Sequence, residues 1–288
     1  MDRSAVASRK TVASGGPRPV VAGHVLHMRE ARALADQESG LFRTILGVRF
    51  FVGSVEAAID RISNGGLMVV PAAPALKNMT EDDEYRRALL GADFAIPDSA
   101  YMVLLWNLIQ GDSIRKVSGL YYMRTLLERQ DIRRPGNTFW VMPTEESRDR
   151  NLWWLNTQGV QTHPMSAYVA PHYKGQIEDP ILLQELERHH PRHVIVAIGG
   201  GKQEPLGLYL KKNLSYRPAI HCIGAAIAFL TGEQVKIPHW ADHLGLGWAF
   251  RTFSDPQRYG SRYWDARKLA PLMMQYRDRA PHAHLLEH

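Results

Sequence analysis

Short apolar runs that alternate with helical patterns constrain the fold of this chain more than any other feature of its sequence. Six runs are compact and predominantly apolar, as strands buried on both faces of a sheet are. They lie at residues 50–52, 67–70, 94–96, 138–142, 194–198 and 220–223. Strands separated by helices require crossover connections, which are right-handed and keep the strands parallel. The sequence therefore predicts an α/β fold with a Rossmann-like, mainly parallel sheet flanked by helices.

The first helix after a strand has the clearest signals at both ends. Ser54 is placed to cap a helix whose apolar face runs through Val55, Ala58, Ile59 and Ile62, and Asn64-Gly65-Gly66 ends it. Further helices are predicted at residues 81–91, around 149–158 and around 182–189.

Composition excludes several classes of protein. The chain has 288 residues, of which 45% are hydrophobic and 22% charged, values typical of soluble globular proteins. Its apolar runs are shorter than the roughly 18 residues of a membrane span, and the start of the sequence has no apolar signal core. The single cysteine, Cys222, excludes an internal disulfide. A net charge of +6 favours an anionic partner but does not choose among nucleotide, nucleic acid and lipid surface.

Composition also divides the chain into three parts. Residues 1–41 are rich in Ser, Ala, Gly, Pro and basic residues and read as a flexible basic leader. Residues 42–235 form the predicted Rossmann-like core. Residues 236–288 read as a helical appendage in which aromatic residues alternate with Lys and Arg. Such interleaving suits nucleic acid, a membrane interface, or an ordinary amphipathic helix pair with its aromatic residues in the core.

Asp98 follows the predicted strand 94–96 and is the first candidate for chemistry. Ligands of open parallel sheets bind at the carboxyl ends of the strands. A carboxylate there can take a proton from an attacking hydroxyl. The alternative is that Asp98 caps the helix that follows.

A glycine cluster after strand 194–198 is the second candidate. Gly199, Gly200 and Gly201 allow close backbone approach to a phosphate, Lys202 adds a positive charge, and Gln203 and Glu204 can hydrogen-bond a base or a sugar. The alternative is a tight turn. Gly224, after the strand 220–223, is a third position where a ligand or a packed helix can approach the backbone.

No set of residues predicts a metal or another cofactor. His239 and His243 have helical i, i+4 spacing, but no HExxH frame or cysteine pair accompanies them. We expect that the protein needs neither a metal ion nor another cofactor.

The order of several short motifs resembles the WecG/TagA/CpsF family of bacterial glycosyltransferases. Ala92-Asp93-Phe94-Ala95-Ile96-Pro97-Asp98 resembles the family stretch that ends in its proposed catalytic base. Lys116-Val117-Ser118-Gly119 resembles "R-V-T-G", and Gly199 to Glu204 resembles "G-x-P-K-Q-E". Near the C-terminus, residues 245–248, Arg251, Pro256, Arg258, Arg262 and Tyr263 resemble "G-L-E-W-x-x-R … P-x-R … R-Y".

This resemblance implies an inverting transfer of a sugar from a UDP-sugar to a polyprenyl-diphosphate-linked acceptor. It assigns the base to Asp98 and the nucleotide to Gly199–Glu204 and Gly224. It assigns the lipid diphosphate and the membrane surface to Lys116, Arg251, Arg258 and Arg262. It implies a protein peripheral on the inner face of the cytoplasmic membrane that requires no metal and no nucleic acid; an oligomer is possible.

Four positions depart from the family pattern and bear on the sugar. Pro71 and Ala73 stand in the place of "T-P-N", Ala228 in the place of an Asp, and Gly247 in the place of the Glu of "G-L-E-W". With these changes the chain resembles the branch that extends glucosyl-diphosphoprenol in xanthan- and acetan-type exopolysaccharide assembly. We therefore expect a hexosyltransferase that uses UDP-glucose. The alternatives are an N-acetylmannosaminyl or N-acetylmannosaminuronic acid transferase of the same family, and a noncatalytic homologue that binds UDP-sugar or lipid.

Overall fold

The computed structural model describes residues 40–224, 226–232, 260 and 264–282. From Leu41 onwards these residues belong to one structural unit. Its strands are β1 (Phe42–Ile45), β2 (Val48–Phe51), β3 (Gly66–Val69), β4 (Phe94–Ala95), β5 (Thr138–Met142), β6 (Ala167–Val169), β7 (His193–Val196) and β8 (Ala219–Cys222).

All eight strands form one sheet in the order β1-β2-β4-β3-β8-β7-β5-β6. The hairpin between β1 and β2 is antiparallel, and every other pair is parallel. The predicted α/β architecture with a mainly parallel sheet is confirmed.

The helices lie in two layers. The described α-helices are α1 (Val55–Ile62), α2 (Ala73–Leu76), α3 (Asp83–Gly91), α4 (Ala100–Gln110), α5 (Gly119–Glu128), α6 (Gln130–Arg133), α7 (Glu145–Thr157), α8 (Pro180–His189), α9 (Gln203–Asn213), α10 (Ala226–Leu230) and α11 (Leu269–Tyr276). Single 3-10 turns are at Lys77–Thr80, Pro164–Ser166 and Ala266–Lys268.

Each layer has its own apolar core, and the central strands contribute to both. Leu67 and Val69 of β3 belong to one core, and Met68 between them belongs to the other. Every residue of β3, β5, β7 and β8 is buried. Burial on both faces explains why these strands appear in the sequence as predominantly apolar runs.

The connections after three central strands create a crevice. The chain leaves β3 and β7 towards the layer of α2, α3 and α9, but it leaves β8, which lies between them, towards the layer of α10. Neighbouring strands whose connections go to opposite faces leave an opening at their carboxyl ends, where open α/β sheets bind ligands.

Helix α1 has the predicted cap and the predicted buried face. The Ser54 side chain accepts a hydrogen bond from the backbone N–H of Ala57, at 3.2 Å, and all four apolar residues predicted on this face are buried. Strands β1 and β6 were not predicted, and no bounds were predicted for the helices α4 and α5. Both missed strands are short and only partly buried at the edges of the sheet, and α4 carries apolar residues all round instead of on one face.

The last described helix packs on the core. Leu269 and Met273 of α11 are fully buried, and the carbonyls of Arg277 and Asp278 accept hydrogen bonds from the N–H groups of Leu46 and Gly47. Residues 264–282 therefore contribute to the core. The predicted leader up to residue 39 and the predicted boundary at residue 236 lie outside the described residues. Within the described ranges no helix is long and apolar enough to cross a bilayer.

Replacing Gly207 tests how closely α9 packs on the sheet. A Cβ at this residue would lie 2.6 Å from the Cys222 Sγ and 2.7 Å from a methyl carbon of Leu67. Alanine improves helix propensity by about 1 kcal/mol, but overpacking a buried contact costs about 1–3 kcal/mol. We expect Gly207→Ala to lower the free energy of unfolding in urea. Lys212→Ala, on the exposed face of the same helix, should change it by less than about 0.5 kcal/mol. An unchanged or higher value for Gly207→Ala would contradict this packing.

Candidate active site

Asp98 lies at the carboxyl end of β4, three residues beyond Ala95. The cap of the following helix α4 is the neighbouring Ser99, whose side chain accepts a hydrogen bond from the Met102 N–H at 3.2 Å. Asp98 instead uses its Oδ1 atom to accept the N–H of Gly119, at 2.9 Å. The side chain of Asp98 is half-buried. In the described part of the chain Oδ2 has no donor, so this oxygen can receive a proton.

The segment Lys116–Gly119 brings that amide to the carboxylate. The Val117 N–H donates to the carbonyl of Pro97 at 3.0 Å, and the Ser118 side chain caps α5 by accepting the Tyr121 N–H at 3.3 Å. Gly119 is the first residue of α5, so Asp98 also faces the positive end of that helix. Lys116 is half-buried in the same segment.

Gly119 fits where a larger residue would meet its neighbours. A Cβ there would lie 3.3 Å from the Cγ1 of Val70 and 3.9 Å from the Oδ1 of Asp98. The sequence motif contains this glycine, but nothing in the sequence pairs it with a carboxylate 21 residues earlier. Only the crossing of the β4 and α5 segments brings the two together.

The glycine cluster forms an open loop between β7 and α9. Gly199 and Gly201 have φ values of 105° and 92°, a region that side chains rarely adopt, and no atom within 4 Å would meet a Cβ at either residue. Gly200 and Lys202 are exposed. Backbone N–H groups at the start of α9 favour an anion at this loop.

Gln203 and Glu204 lie below this loop and hold it in place. Their exposed fractions are 1% and 0%. The Gln203 Oε1 accepts the Gly224 N–H at 2.6 Å, and its Nε2 donates to the Cys222 carbonyl at 3.3 Å and to Glu204 at 3.1 Å. Glu204 also accepts the Gly201 N–H at 2.7 Å. Direct contact of these two side chains with a nucleotide remains a prediction; their contacts here join the ends of β7 and β8.

Cys222 belongs to this buried network. Its Sγ donates to the carbonyl of Gln203 at 3.1 Å. Burial, and then the nearby Glu204 carboxylate, raise the pKa of the thiol well above its ordinary value. A thiol held protonated is a poor nucleophile, so Cys222 serves packing and hydrogen bonding.

One edge of the sheet carries both candidates. Strands β4 and β7 are separated by β3 and β8, which places their ends about 14 Å apart at the usual strand spacing. The Cys222 carbonyl accepts the Val70 N–H at 3.2 Å in addition to the Gln203 amide. The edge is thus continuous from Val70, beside Gly119, to the glycine loop. No cluster of three metal-ligating side chains occurs among the described residues.

Comparison with known protein families identifies the class of protein to which this site belongs. The model of the glycosyl transferase WecG/TagA/CpsF family matches residues 43–282. The chain belongs to this glycosyltransferase family. A relative from Bacillus spizizenii (strain ATCC 23059 / NRRL B-14472 / W23) is 22% identical over 205 residues, which cover 68% of this chain and 74% of the relative. That protein is named N-acetylglucosaminyldiphosphoundecaprenol N-acetyl-beta-D-mannosaminyltransferase.

Positions at which this glycosyltransferase departs from the family pattern flank the same edge. Ala73 follows β3 and has an exposed fraction of 4%; Ala228 follows β8 and has one of 6%. Pro71 is also buried. Both alanines are therefore buried in the first helix after their strand. The remaining predicted site residues, Arg251, Arg258 and Arg262, and the departure at Gly247 lie outside the described residues.

The variant Gln203→Glu tests the buried junction beneath the glycine loop. A carboxylate there would replace an amide that donates to Glu204 and to a carbonyl, so two buried acids would meet at about 3 Å and one pKa would rise strongly. The folded state would then bind a proton more tightly than the unfolded state. We expect a loss of stability by thermal melting that grows as the pH rises from 5 to 8.

The same change on the surface provides the control. Gln176 donates to Glu178 at 3.2 Å, and this contact is exposed. Gln176→Glu should leave the melting temperature and its pH dependence close to those of the original protein. Equal behaviour of the two variants would show that Gln203 does not hold this junction.

Proposed function

We propose that this glycosyltransferase moves glucose from UDP-glucose, with inversion, onto a polyprenyl-diphosphate-linked sugar in bacterial exopolysaccharide assembly. The observation that supports this most is Asp98, whose Oδ1 is held by a backbone amide while Oδ2 has no donor in the described part of the chain. A carboxylate fixed in this way suits a general base.

The proposed step is a single displacement. The acceptor hydroxyl loses its proton to the Asp98 Oδ2 as its oxygen forms a bond to the anomeric carbon of the donor sugar. The bond between that carbon and the UDP oxygen breaks on the opposite face, and UDP leaves with the electron pair. The Gly119 N–H keeps Oδ1 in place, so the carboxylate is oriented before the acceptor arrives.

The glycine loop is the proposed nucleotide site. No side chain fills the space beside Gly199 and Gly201, although the Gly201 N–H already donates to Glu204. Gly200 and Lys202 are exposed beside the start of α9, so negative charge on the leaving UDP is favoured there. Gly224 is joined to this loop through the side chains of Gln203 and Glu204. The separation of about 14 Å between the ends of β4 and β7 suits an extended donor whose sugar points towards Asp98.

A lipid-linked acceptor is supported by charge and by the comparison. The name of the Bacillus relative describes an acceptor on a polyprenyl diphosphate. Residues 236–279 of this chain contain eight Lys or Arg and four Asp. We assign Lys116, Arg251, Arg258 and Arg262 to the lipid diphosphate and the surface of the inner membrane leaflet, where cationic side chains gain electrostatic energy.

Two buried methyl groups favour glucose over an acetamido sugar. At Ala73 and Ala228 this chain lacks the amide and the carboxylate of the family pattern. An N-acetyl or uronic acid group needs polar partners when it leaves water, and glucose lacks both groups. N-acetylmannosamine, the sugar in the name of the Bacillus relative, is the alternative donor sugar. The same two losses motivate a noncatalytic homologue as the second alternative.

The variant Asp98→Asn tests the proposed base. Asparagine keeps an oxygen that can accept the Gly119 N–H but cannot take the acceptor proton, so we expect turnover to fall by roughly 10²–10⁴ while UDP affinity changes little. Asp149→Asn, at a side chain that is 69% exposed, is the matched control and should retain full turnover. Turnover of Asp98→Asn close to that of the original protein would exclude Asp98 as the base.

A panel of donors tests the sugar. The protein is incubated with a short-chain glucosyl-diphosphoprenyl acceptor and a series of UDP-sugars, with and without magnesium, and the products are weighed by mass spectrometry. We expect a disaccharide from UDP-glucose. Product from UDP-N-acetylmannosamine alone would establish the alternative donor. UDP binding without product from any donor would support the noncatalytic homologue.

A further inference from the structure

Four side chains form a buried hydrogen-bond chain across the layer of α5 and α6. The Tyr122 hydroxyl lies 2.9 Å from the His221 Nδ1, the His221 Nε2 lies 3.1 Å from the His193 Nδ1, and the His193 Nε2 lies 3.1 Å from the Asp131 Oδ2. Tyr122, His193 and His221 each have an exposed fraction of 0%, and Asp131 is 24% exposed at the outer end.

The protonation states of these four side chains determine which group donates in each hydrogen bond. Burial raises the pKa of Tyr122 and lowers the pKa of His221 well below its ordinary value. Burial also lowers the pKa of His193, helped by Arg192 and Arg129 and opposed by Asp131. Burial alone would raise the pKa of Asp131, but His193 and the hydrogen bonds it receives hold it below normal. Neutral histidines then require that Tyr122 donates to His221, His221 to His193, and His193 to the carboxylate.

At its inner end, this series of hydrogen bonds lies within one helical turn of Gly119, the residue whose N–H donates to Asp98. Tyr122 is three residues after Gly119 on α5, and its backbone N–H donates to Ser118 at 2.8 Å. His221 is the residue before Cys222, whose carbonyl accepts the Gln203 amide beneath the glycine loop. One side-chain contact, between Tyr122 and His221, thus links the first turn of α5 with the strand that supports the nucleotide loop.

We propose that Tyr122, His221 and His193 are positioning residues that hold the first turn of α5 on β8, so that the Gly119 N–H keeps Asp98 oriented towards the acceptor hydroxyl. This inference rests on the proposed function, because it assigns these residues to the transfer reaction. None of the three touches the reacting atoms. An apolar side chain at residue 122 would fill the same space, but only a directional hydrogen bond fixes the rotation of the helix start relative to the strand.

The direct test is a double-mutant cycle between Tyr122→Phe and Asp98→Asn. Tyr122→Phe removes one oxygen atom and leaves the His221 Nδ1 buried without its donor. If Tyr122 acts through Asp98, we expect kcat to fall roughly tenfold in the original protein, while KM for UDP-glucose stays within about twofold. In the Asp98→Asn background the same change should lower the residual kcat no further.

A purely structural role predicts a different result. Tyr122→Phe would then lower kcat by the same factor in the original protein and in the Asp98→Asn background. That factor would match the loss of folded protein measured by thermal melting. Equal losses in the two backgrounds, or no loss in either, would overturn the proposal. Tyr121→Phe is the matched control, since it makes the same change on the same helix at a residue that is 46% exposed. It should leave kcat unchanged.

Amide hydrogen exchange separates this proposal from the proposed function. If no donor gives product, transfer itself has failed, and exchange of residues 118–123 is compared between the original protein and Tyr122→Phe. Exchange faster by roughly tenfold in that segment, with the rest of α5 unchanged, would retain the link between Tyr122 and the Gly119 amide. Unchanged exchange would overturn it.

Discussion

The parallel backbone ladder that joins β3, β8 and β7 is the constraint on which the rest of the structure depends. All twelve residues of these strands are buried, so no position in them tolerates an unpaired backbone group. The ladder brings Val69 beside Cys222 and Cys222 beside Val196, and it therefore places three loop starts at one edge. Because β8 sends its chain to the opposite face from its two neighbours, that edge opens into a crevice instead of closing under helices.

The buried polar groups beneath the glycine loop bond to one another before any ligand arrives. The Gln203 amide joins Gly224, the Cys222 carbonyl and Glu204, and Glu204 in turn holds Gly201. Each contact removes the cost of a buried polar group without a partner. These contacts restrict a loop whose glycines would otherwise sample many conformations, while Gly200 and Lys202 stay exposed to solvent.

Glycine acts at this edge in two physically different ways. Gly199 and Gly201 supply backbone conformations that side chains rarely adopt, and the space around them is empty. Gly119 has an ordinary φ, but a Cβ there would lie only 3.3 Å from the Cγ1 of Val70. Gly199 and Gly201 leave room for a ligand, whereas Gly119 allows close packing of the start of α5 against Val70.

The sequence by itself determined the alternation of strands and helices, the buried faces of the central strands, the Ser54 cap and the family to which the chain belongs. These follow from local patterns: apolar runs, capping residues and short motifs that keep their order. The edge strands β1 and β6 and the bounds of the predominantly apolar helix α4 were not predicted because their residues show little or no regular alternation of apolar and polar side chains. Only the tertiary structure decided which residues form hydrogen bonds with one another at the site. Ser99, not Asp98, caps α4; Gly119 holds Asp98; and Gln203 and Glu204 turn beneath the loop. These contacts join segments on different strands, and their geometry follows from sheet order and helix crossing, which no local pattern encodes.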